Sequence, residues 1–132
     1  MIVLDTHIWV WWVNQSAALS ATKGQTLKAQ EADGLGVSAI SCWEVAKLVE
    51  KKRLVLSIPV HQWVEQALAY SGIVLLPLTP QIAVASTQLP QPFQKDPADQ
   101  IIVATARALD CALATDDAEI LAYPQVKLVW TA

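Results

Sequence analysis

Cysteine and histidine are scarce in this 132-residue chain, which contains two of each. Cys42 and Cys111 are too few for a disulfide framework and lack the spacing of a zinc site, so we expect both to be small buried hydrophobic residues. His7 and His61 stand far apart and form no His-Glu-x-x-His motif. These absences argue against a disulfide-stabilised fold and against a metal centre built from Cys or His.

Long apolar runs and the common nucleotide motifs are also absent. No run approaches the roughly 20 apolar residues that span a bilayer, and the first residues, Met-Ile-Val-Leu-Asp, lack the basic leader of a secretory signal. We therefore expect a cytoplasmic protein without a membrane partner.

The common nucleotide and nucleophile motifs are missing as well. The chain has no Gly-rich phosphate loop and no Gly-x-Ser-x-Gly nucleophile elbow.

Charged residues make up only 16% of the chain, whereas 54% of the residues are hydrophobic and six are Trp. An average soluble domain has roughly 25% charged residues. The length suits one domain over residues 1–132. With so little charge to cover its surface, the protein is expected to bury apolar area against another chain, in a homodimer or with a protein partner.

Short apolar runs alternate with segments of helical periodicity along the chain. This alternation predicts an α/β fold: a single domain with a mostly parallel central β-sheet flanked by α-helices. Strands are predicted over residues 2–4, 35–39, 73–76, 111–114 and 126–130. Helices are predicted over residues 6–13, 20–32, 42–52, 61–70, 81–88, 97–109 and 118–122.

Half of the twelve acidic residues fall where a predicted strand ends or a predicted helix begins. Such junctions lie along one edge of the sheet in an α/β domain, so these carboxylates should converge and repel one another. A divalent cation would neutralise them, and oxygen ligands favour Mg²⁺ or Mn²⁺ over zinc. The six residues are Asp5, Glu44, Asp96, Asp99, Asp116 and Asp117.

Most of these acids also have a structural interpretation as helix caps. Ser41 and Glu44 match the Ser-x-x-Glu capping box, Asp96 precedes a Pro as an N-cap residue would, and Asp116 or Asp117 could cap the following helix. Asp5 differs, since it ends a buried strand, where an unpaired carboxylate is costly. The combined pattern favours a metal site.

Basic residues cluster in one short segment. Without the six junction acids, six acidic residues remain against nine Lys and Arg. The densest basic patch is Lys47, Lys51, Lys52 and Arg53. Such a patch suits a nucleic-acid backbone, but a solvated helix end whose cations complement the helix dipole explains it equally well.

Four segments of the chain resemble the PIN domain, and more narrowly the VapC-type toxins of bacterial type II toxin–antitoxin modules. They are Val-Leu-Asp-Thr-His (3–7), Ser-Ala-Ile-Ser-Cys-Trp-Glu-Val-Ala (38–46), Asp-Pro-Ala-Asp-Gln-Ile-Ile-Val-Ala-Thr-Ala (96–106) and Leu-Ala-Thr-Asp-Asp (113–117). The resemblance extends from residue 2 to about residue 129. It implies a ribonuclease that depends on Mg²⁺ or Mn²⁺, is usually dimeric, hydrolyses RNA and is held inactive by a cognate antitoxin.

Site residues follow from the resemblance, position by position. The catalytic and metal-binding acids are expected to be Asp5, Glu44, Asp99 and Asp117, with Asp96 and Asp116 as further possible ligands. Substrate contacts are expected from Thr6 and Thr115, next to these acids, and from Lys47 and Arg53 of the basic patch. Two positions depart from the family pattern: His7 stands where many relatives have Asn, and Asp116 stands at an often basic position, which leaves the choice between Asp116 and Asp117 open.

Two other functions are consistent with acids at strand ends. A Mg²⁺-dependent phosphotransfer domain is one, but haloacid-dehalogenase phosphatases have a second Asp two residues after the first, where this chain has His7. A receiver domain would need an acidic pair near the first strand, and this pair is absent. The other is a non-catalytic PIN-like module that binds RNA or protein, which the loss of one of the four acids would have supported; none is lost.

Overall fold

A computed structural model describes residues 1–93 and 95–131 of the chain. Gln94 and Ala132, which the predicted domain of residues 1–132 includes, lie outside the described residues. Four parallel strands form one sheet in the order β3-β2-β1-β4, which confirms the predicted α/β class. The strands are β1 (Ile2–Leu4), β2 (Leu35–Ser38), β3 (Ile73–Leu76) and β4 (Leu113–Ala114).

The predicted strand over residues 126–130 is wrong. Only an isolated bridge joins Leu128 to Leu113, because β4 is two residues long and offers little ladder for a fifth strand. β4 is also shorter than the predicted 111–114.

Helices cover both faces of the sheet, and a counterpart of each predicted helix is present in the described part of the chain. They are α1 (Thr6–Val13), α2 (Ala21–Gln30), α3 (Ala39–Glu50), α4 (Val60–Leu68), α5 (Pro80–Ala85), α6 (Pro97–Ala108) and α7 (Ala118–Leu121). A single 3-10 turn, Glu31–Asp33, follows α2. No helix within residues 1–93 and 95–131 combines the length and the hydropathy needed to cross a membrane.

The two faces of the sheet build separate parts of the core. Side chains alternate along a strand, so Leu4 packs with α1, α3 and α4, whereas Val3 packs with α6 and α7. Trp9 is fully buried, with its ring edge against Trp63 at a centroid distance of 5.0 Å. Both cysteines are free and half-buried rather than fully buried as predicted.

Strand register aligns the carboxyl ends of three strands. Leu4 pairs with Val37 of β2 and with Ala114 of β4. The next residue along each strand is therefore at the same edge, which places Asp5 between Ser38 and Thr115. This edge of the sheet, where helices α1 and α3 also begin, is the place for a site.

Candidate metal centre

Three carboxylates from three separate segments meet at this edge. Asp5 follows β1, Glu44 lies in the second turn of α3, and Asp99 lies in the first turn of α6. Each offers an oxygen, and these atoms lie within 4.8 Å of one another. Asp5 is 2% exposed and Asp99 is 8% exposed. Among the described residues, no other group of three or more potential metal-ligating side chains is this compact.

Asp5 is held by hydrogen bonds to both of its carboxylate oxygens. Oδ1 accepts the backbone N–H of Thr6 at 2.8 Å, and Oδ2 accepts the hydroxyl of Thr115 at 2.7 Å. Thr115 is fully buried, and its hydroxyl oxygen also accepts the backbone N–H of Asp117 at 3.0 Å. The structure therefore places Thr115 behind Asp5 as a support for its orientation.

Glu44 is oriented by hydroxyl groups. Its Oε1 forms a short hydrogen bond with the hydroxyl of Thr6, which also lies 2.8 Å from Ser41 Oγ. A hydroxyl has one hydrogen, so when Thr6 donates to ionised Glu44 it accepts from Ser41. Thr6 is buried, and the structure places it as a support of Glu44 rather than on the surface.

The predicted capping box of Ser41 and Glu44 is wrong. Helix α3 begins at Ala39, three residues earlier than predicted, because Ser38 is the N-cap and its Oγ accepts the Ile40 N–H at 3.2 Å. Ser41 and Glu44 consequently lie inside the helix. This leaves the Glu44 carboxylate free of the helix terminus and directs it to Thr6 and Asp5.

Asp99 is held at the start of α6 next to a lysine. Asp96 caps this helix as predicted, and its Oδ1 accepts the Asp99 N–H at 3.1 Å. Lys95 Nζ lies 3.5 Å from Asp99 Oδ2 and 3.0 Å from Asp117 Oδ2. Asp117 is the N-cap of α7 and reaches the three carboxylates through this ammonium group.

Asp116 belongs to a different set of contacts. Its carboxylate pairs with Lys23 of α2 at 2.7 Å and accepts the indole N–H of Trp130 at 3.1 Å. Its backbone N–H donates to His7 Nε2 at 2.9 Å. Lys23 and Trp130 therefore occupy the Asp116 carboxylate, which lies outside the group of three carboxylates.

Burial, together with neighbouring negative charges, raises the proton affinity of two acids of the centre. Burial raises the pKa of Asp99 to about 7, with further repulsion from Asp5, Asp96 and Glu44, against which Lys95 acts. Burial also raises the pKa of Glu44, opposed by the Thr6 hydrogen bond. A buried set of oxygen donors that repel one another in this way fits a divalent cation.

Asp117 has the opposite behaviour. Burial alone would raise its pKa, but the hydrogen bond from Lys95 and those from the first backbone N–H groups of α7 keep the pKa below its ordinary value. Asp117 is therefore ionised near neutral pH, and Lys95 balances its charge.

The two basic residues expected to contact substrate lie beside the centre. Lys47 and Arg53 line a cleft of about 220 Å³ that also includes Glu44 and Asp96. Lys47 forms an exposed ion pair with Glu50 at 2.8 Å, which contributes little to stability.

Sequence reasoning missed Lys95, and assigned Ser41 to a cap. A signal for Lys95 was present: it stands directly before the Asp-Pro helix start, four residues before Asp99. No local signal distinguishes Ser41 from Ser38 as the N-cap. Both are serines that precede the same segment of helical periodicity.

Comparisons with known proteins agree with this architecture. Residues 2–125 match the PIN domain family. Over 131 residues, 98% of each chain, the protein is 36% identical to Ribonuclease VapC22 of Mycobacterium tuberculosis.

Solved structures share the fold. A toxin–antitoxin complex from Klebsiella pneumoniae aligns over 100% of both chains with 24% identity and a TM-score of 0.66. VapBC2 of Rickettsia felis, bound to a DNA fragment from its promoter, aligns over 97% of both chains with 18% identity and a TM-score of 0.71.

Proposed function

Because the chain belongs to the PIN-domain family, we propose that it is a metal-dependent endoribonuclease that acts as the toxin of a type II toxin–antitoxin module. Its 36% identity to a VapC ribonuclease over nearly the whole length supports this proposal. The observation that carries it is the convergence of Asp5, Glu44 and Asp99 at the carboxyl edge of the sheet, within 4.8 Å of one another.

The proposed metal is Mg²⁺ or Mn²⁺, held by Asp5, Glu44 and Asp99. Such an ion, when bound, supplies Lewis-acid polarisation of the scissile phosphate and lowers the pKa of water. The chain's own groups orient the ligands: the Thr6 N–H and the Thr115 hydroxyl hold Asp5, and the Thr6 hydroxyl holds Glu44. Oxygen ligands fixed in this way keep their geometry when the substrate arrives.

We assign the fourth catalytic acid to Asp117 rather than Asp116. Asp117 is joined to Asp99 through Lys95, whereas Asp116 is paired with Lys23 and Trp130. Asp96 would act as the cap that places Asp99, and Asp116 as a support of the C-terminal segment.

Substrate contacts are proposed for Lys47 and Arg53, which line the cleft beside Glu44. A phosphodiester backbone carries one negative charge per nucleotide, so cations next to a nuclease centre strengthen binding. Thr6 and Thr115, both buried, would act on substrate indirectly through Glu44 and Asp5.

The proposed partners are RNA, a cognate antitoxin and a second copy of the chain. Large apolar side chains remain exposed on edge strand β3 and directly after it, in agreement with burial against another protein: Val74, Leu75 and Leu78. We further propose that residues 1–132 act as one domain in the cytoplasm. Light scattering on the purified chain would contradict the dimer if it returned a mass near 14.4 kDa.

RNA cleavage by antitoxin-free protein tests the enzymatic proposal. Total RNA is incubated with Mg²⁺ or Mn²⁺, with an EDTA control, and with the variants Asp5→Asn and Asp99→Asn. We expect cleavage that EDTA abolishes and that falls at least 100-fold in both variants. The matched control is Asp110→Asn, an exposed acid paired with Lys127 and outside the group of three carboxylates, which should cleave like the wild type.

Calorimetry with Mn²⁺ gives the second readout. Metal binding without any RNA cleavage would favour the phosphotransfer or the non-catalytic alternative. If no metal bound, the acids would be helix caps and supports only, and the proposed mechanism would fail.

A further inference from the structure

Trp43 is the one tryptophan among the described residues that is mainly exposed to solvent. It is 55% exposed, whereas Trp9, Trp12 and Trp63 are buried and Trp11 is half-buried. An indole in water forgoes the stabilisation that burial gives, about 25 cal/mol per Å² of apolar area. The indole of Trp43 is therefore available to a ligand.

The position of Trp43 follows from the register of α3. Trp43 precedes Glu44, so the two side chains leave the helix about 100° apart, and both line the cleft of about 220 Å³ described above. Lys47 and Lys51 follow Trp43 at intervals of four residues, and both line the same cleft. One stripe of α3 therefore presents an aromatic ring and then two ammonium groups, starting beside a carboxylate of the metal centre.

The cleft has a charge gradient. Glu44 belongs to the metal centre and Asp96 is the N-cap of the helix that carries Asp99, whereas Lys51 follows Glu44 by seven residues, about two helical turns. Within residues 1–93 and 95–131, neither Lys51 nor Arg53 forms a salt bridge. Their charges are thus available to an anionic ligand, while a cation in the centre would neutralise the acidic end.

We propose that this cleft binds single-stranded RNA next to the scissile phosphate, with one base stacked on Trp43 and the adjoining phosphates against Lys51 and Arg53. The inference rests on the proposed ribonuclease function and adds a residue and a binding mode to it. An exposed aromatic face followed by cations is the arrangement with which proteins hold single strands, because every base has a π-face and every nucleotide has a phosphate. The stacking tolerates different bases, so Trp43 would contribute affinity more than sequence choice.

Binding is tested without cleavage by using Ca²⁺ in place of Mg²⁺ and an end-labelled 12-nucleotide single-stranded RNA, with its integrity checked on a gel. Fluorescence anisotropy compares wild type with Trp43→Leu, which removes the π-face, and Trp43→Tyr, which keeps one. We expect Trp43→Leu to weaken binding about tenfold and Trp43→Tyr to stay within about threefold of wild type. Leu109→Ala, which changes an exposed apolar residue elsewhere, should bind like the wild type.

The salt dependence tests the two cations. Each phosphate contact to a single strand contributes a slope of about 0.7 to the dependence of log affinity on log salt concentration. Lys51→Gln and Arg53→Gln should each reduce the slope by about that amount. Lys127→Gln, which removes a lysine paired with Asp110 instead, should leave the slope unchanged.

The controls separate this inference from the proposed function. Trp43→Leu should bind Mn²⁺ in calorimetry as the wild type does, because Trp43 contributes no ligand oxygen. If the wild type failed to cleave RNA but Trp43→Leu still weakened RNA binding, the cleft proposal would stand and the ribonuclease would not. If Trp43→Leu bound RNA as tightly as the wild type, the inference would be overturned, and a simultaneous loss of affinity for the purified antitoxin would assign the cleft to that protein.

Discussion

At the scale of single residues, the centre depends on hydroxyl groups that stand behind the acids. The Asp5 carboxylate accepts the hydroxyl of Thr115, and the Glu44 carboxylate accepts the hydroxyl of Thr6. Supports of this kind fix ligand orientation, and their loss weakens a metal site even though every ligand remains.

Thr115→Val tests this arrangement. Valine has nearly the same shape but donates no hydrogen bond, so Asp5 Oδ2 loses its buried partner. We expect Mn²⁺ affinity, measured by calorimetry, to fall about tenfold. Thr87→Val removes an exposed hydroxyl that donates to Val84 O at 2.7 Å, and it should leave the affinity unchanged; an equal effect in both variants would contradict the assigned role.

Lys95 gives a second prediction at this scale. Its ammonium lies between Asp99 and Asp117. Lys95→Met removes a positive charge that repels a bound cation, so metal binding should not weaken. The same change removes the ion pair that holds Asp117, the proposed fourth catalytic acid, so cleavage should fall. We expect RNA cleavage to fall at least tenfold while the dissociation constant for Mn²⁺ stays equal or becomes smaller. Lys127→Met provides the control with an exposed ion pair; a parallel loss of metal binding in Lys95→Met would show that the lysine supports the fold instead.

At the scale of elements, α3 shows how helix register decides what a side chain can do. Ser38 and Ser41 are both suitable N-caps, three residues apart, and capping by Ser38 places Glu44 in the helix interior. The end of β2 at Ser38 explains this outcome: the chain leaves the sheet there, and the first free N–H groups of the helix need an acceptor immediately.

Two glycines allow a test of the turn before β3, since one lies in that turn and the other lies within a helix. Gly72, before β3, has a φ of +81°, and a Cβ there would lie 3.0 Å from Glu31 O. Gly24 lies in α2, and a Cβ there would meet nothing within 4 Å. In urea unfolding we expect Gly72→Ala to lower the free energy of unfolding by about 1–2 kcal/mol and Gly24→Ala to raise it by about 0.5–1 kcal/mol. A stable Gly72→Ala would contradict the described turn.

At the scale of the whole molecule, a net charge of −3 conceals an uneven distribution. Three of the twelve acids share one buried centre, and the basic residues Lys47, Lys51 and Arg53 line the adjacent cleft. In the metal-free protein these three carboxylates therefore repel one another, and a bound cation or a bound proton reduces that repulsion.

The pH dependence of stability follows from Asp99. Its pKa in the folded protein, about 7, exceeds the ordinary value of 3.8. Between these values the folded chain holds a proton that the unfolded chain releases, so the free energy of unfolding falls as pH rises from about 4 through 7. In EDTA we expect a higher Tm at pH 5.5 than at pH 8.0, and a smaller difference in Asp99→Asn. A Tm that rises over this range would contradict the raised pKa. Because the cation displaces that proton, Mn²⁺ affinity should increase over the same range.

Local patterns in the sequence were sufficient for the α/β class, for the helices and for four of the five predicted strands, because hydrophobic periodicity and capping residues act within a few positions. The strand predicted over residues 126–130 failed because pairing depends on the length of the neighbouring strand, which is two residues in β4. The roles of the individual acids stay predictions, although the structure places Asp5, Glu44 and Asp99 together.

The sequence by itself determined that Asp5 follows a strand, that Asp96 and Asp117 precede helices, and which family the chain resembles. Only the tertiary structure decided that Lys95 joins Asp99 to Asp117, that Lys23 pairs with Asp116, and that Trp43 shares a cleft with Lys51 and Arg53. The reason is physical: periodicity records which side of an element faces the core, whereas a contact between charges requires the distance between elements, which packing sets.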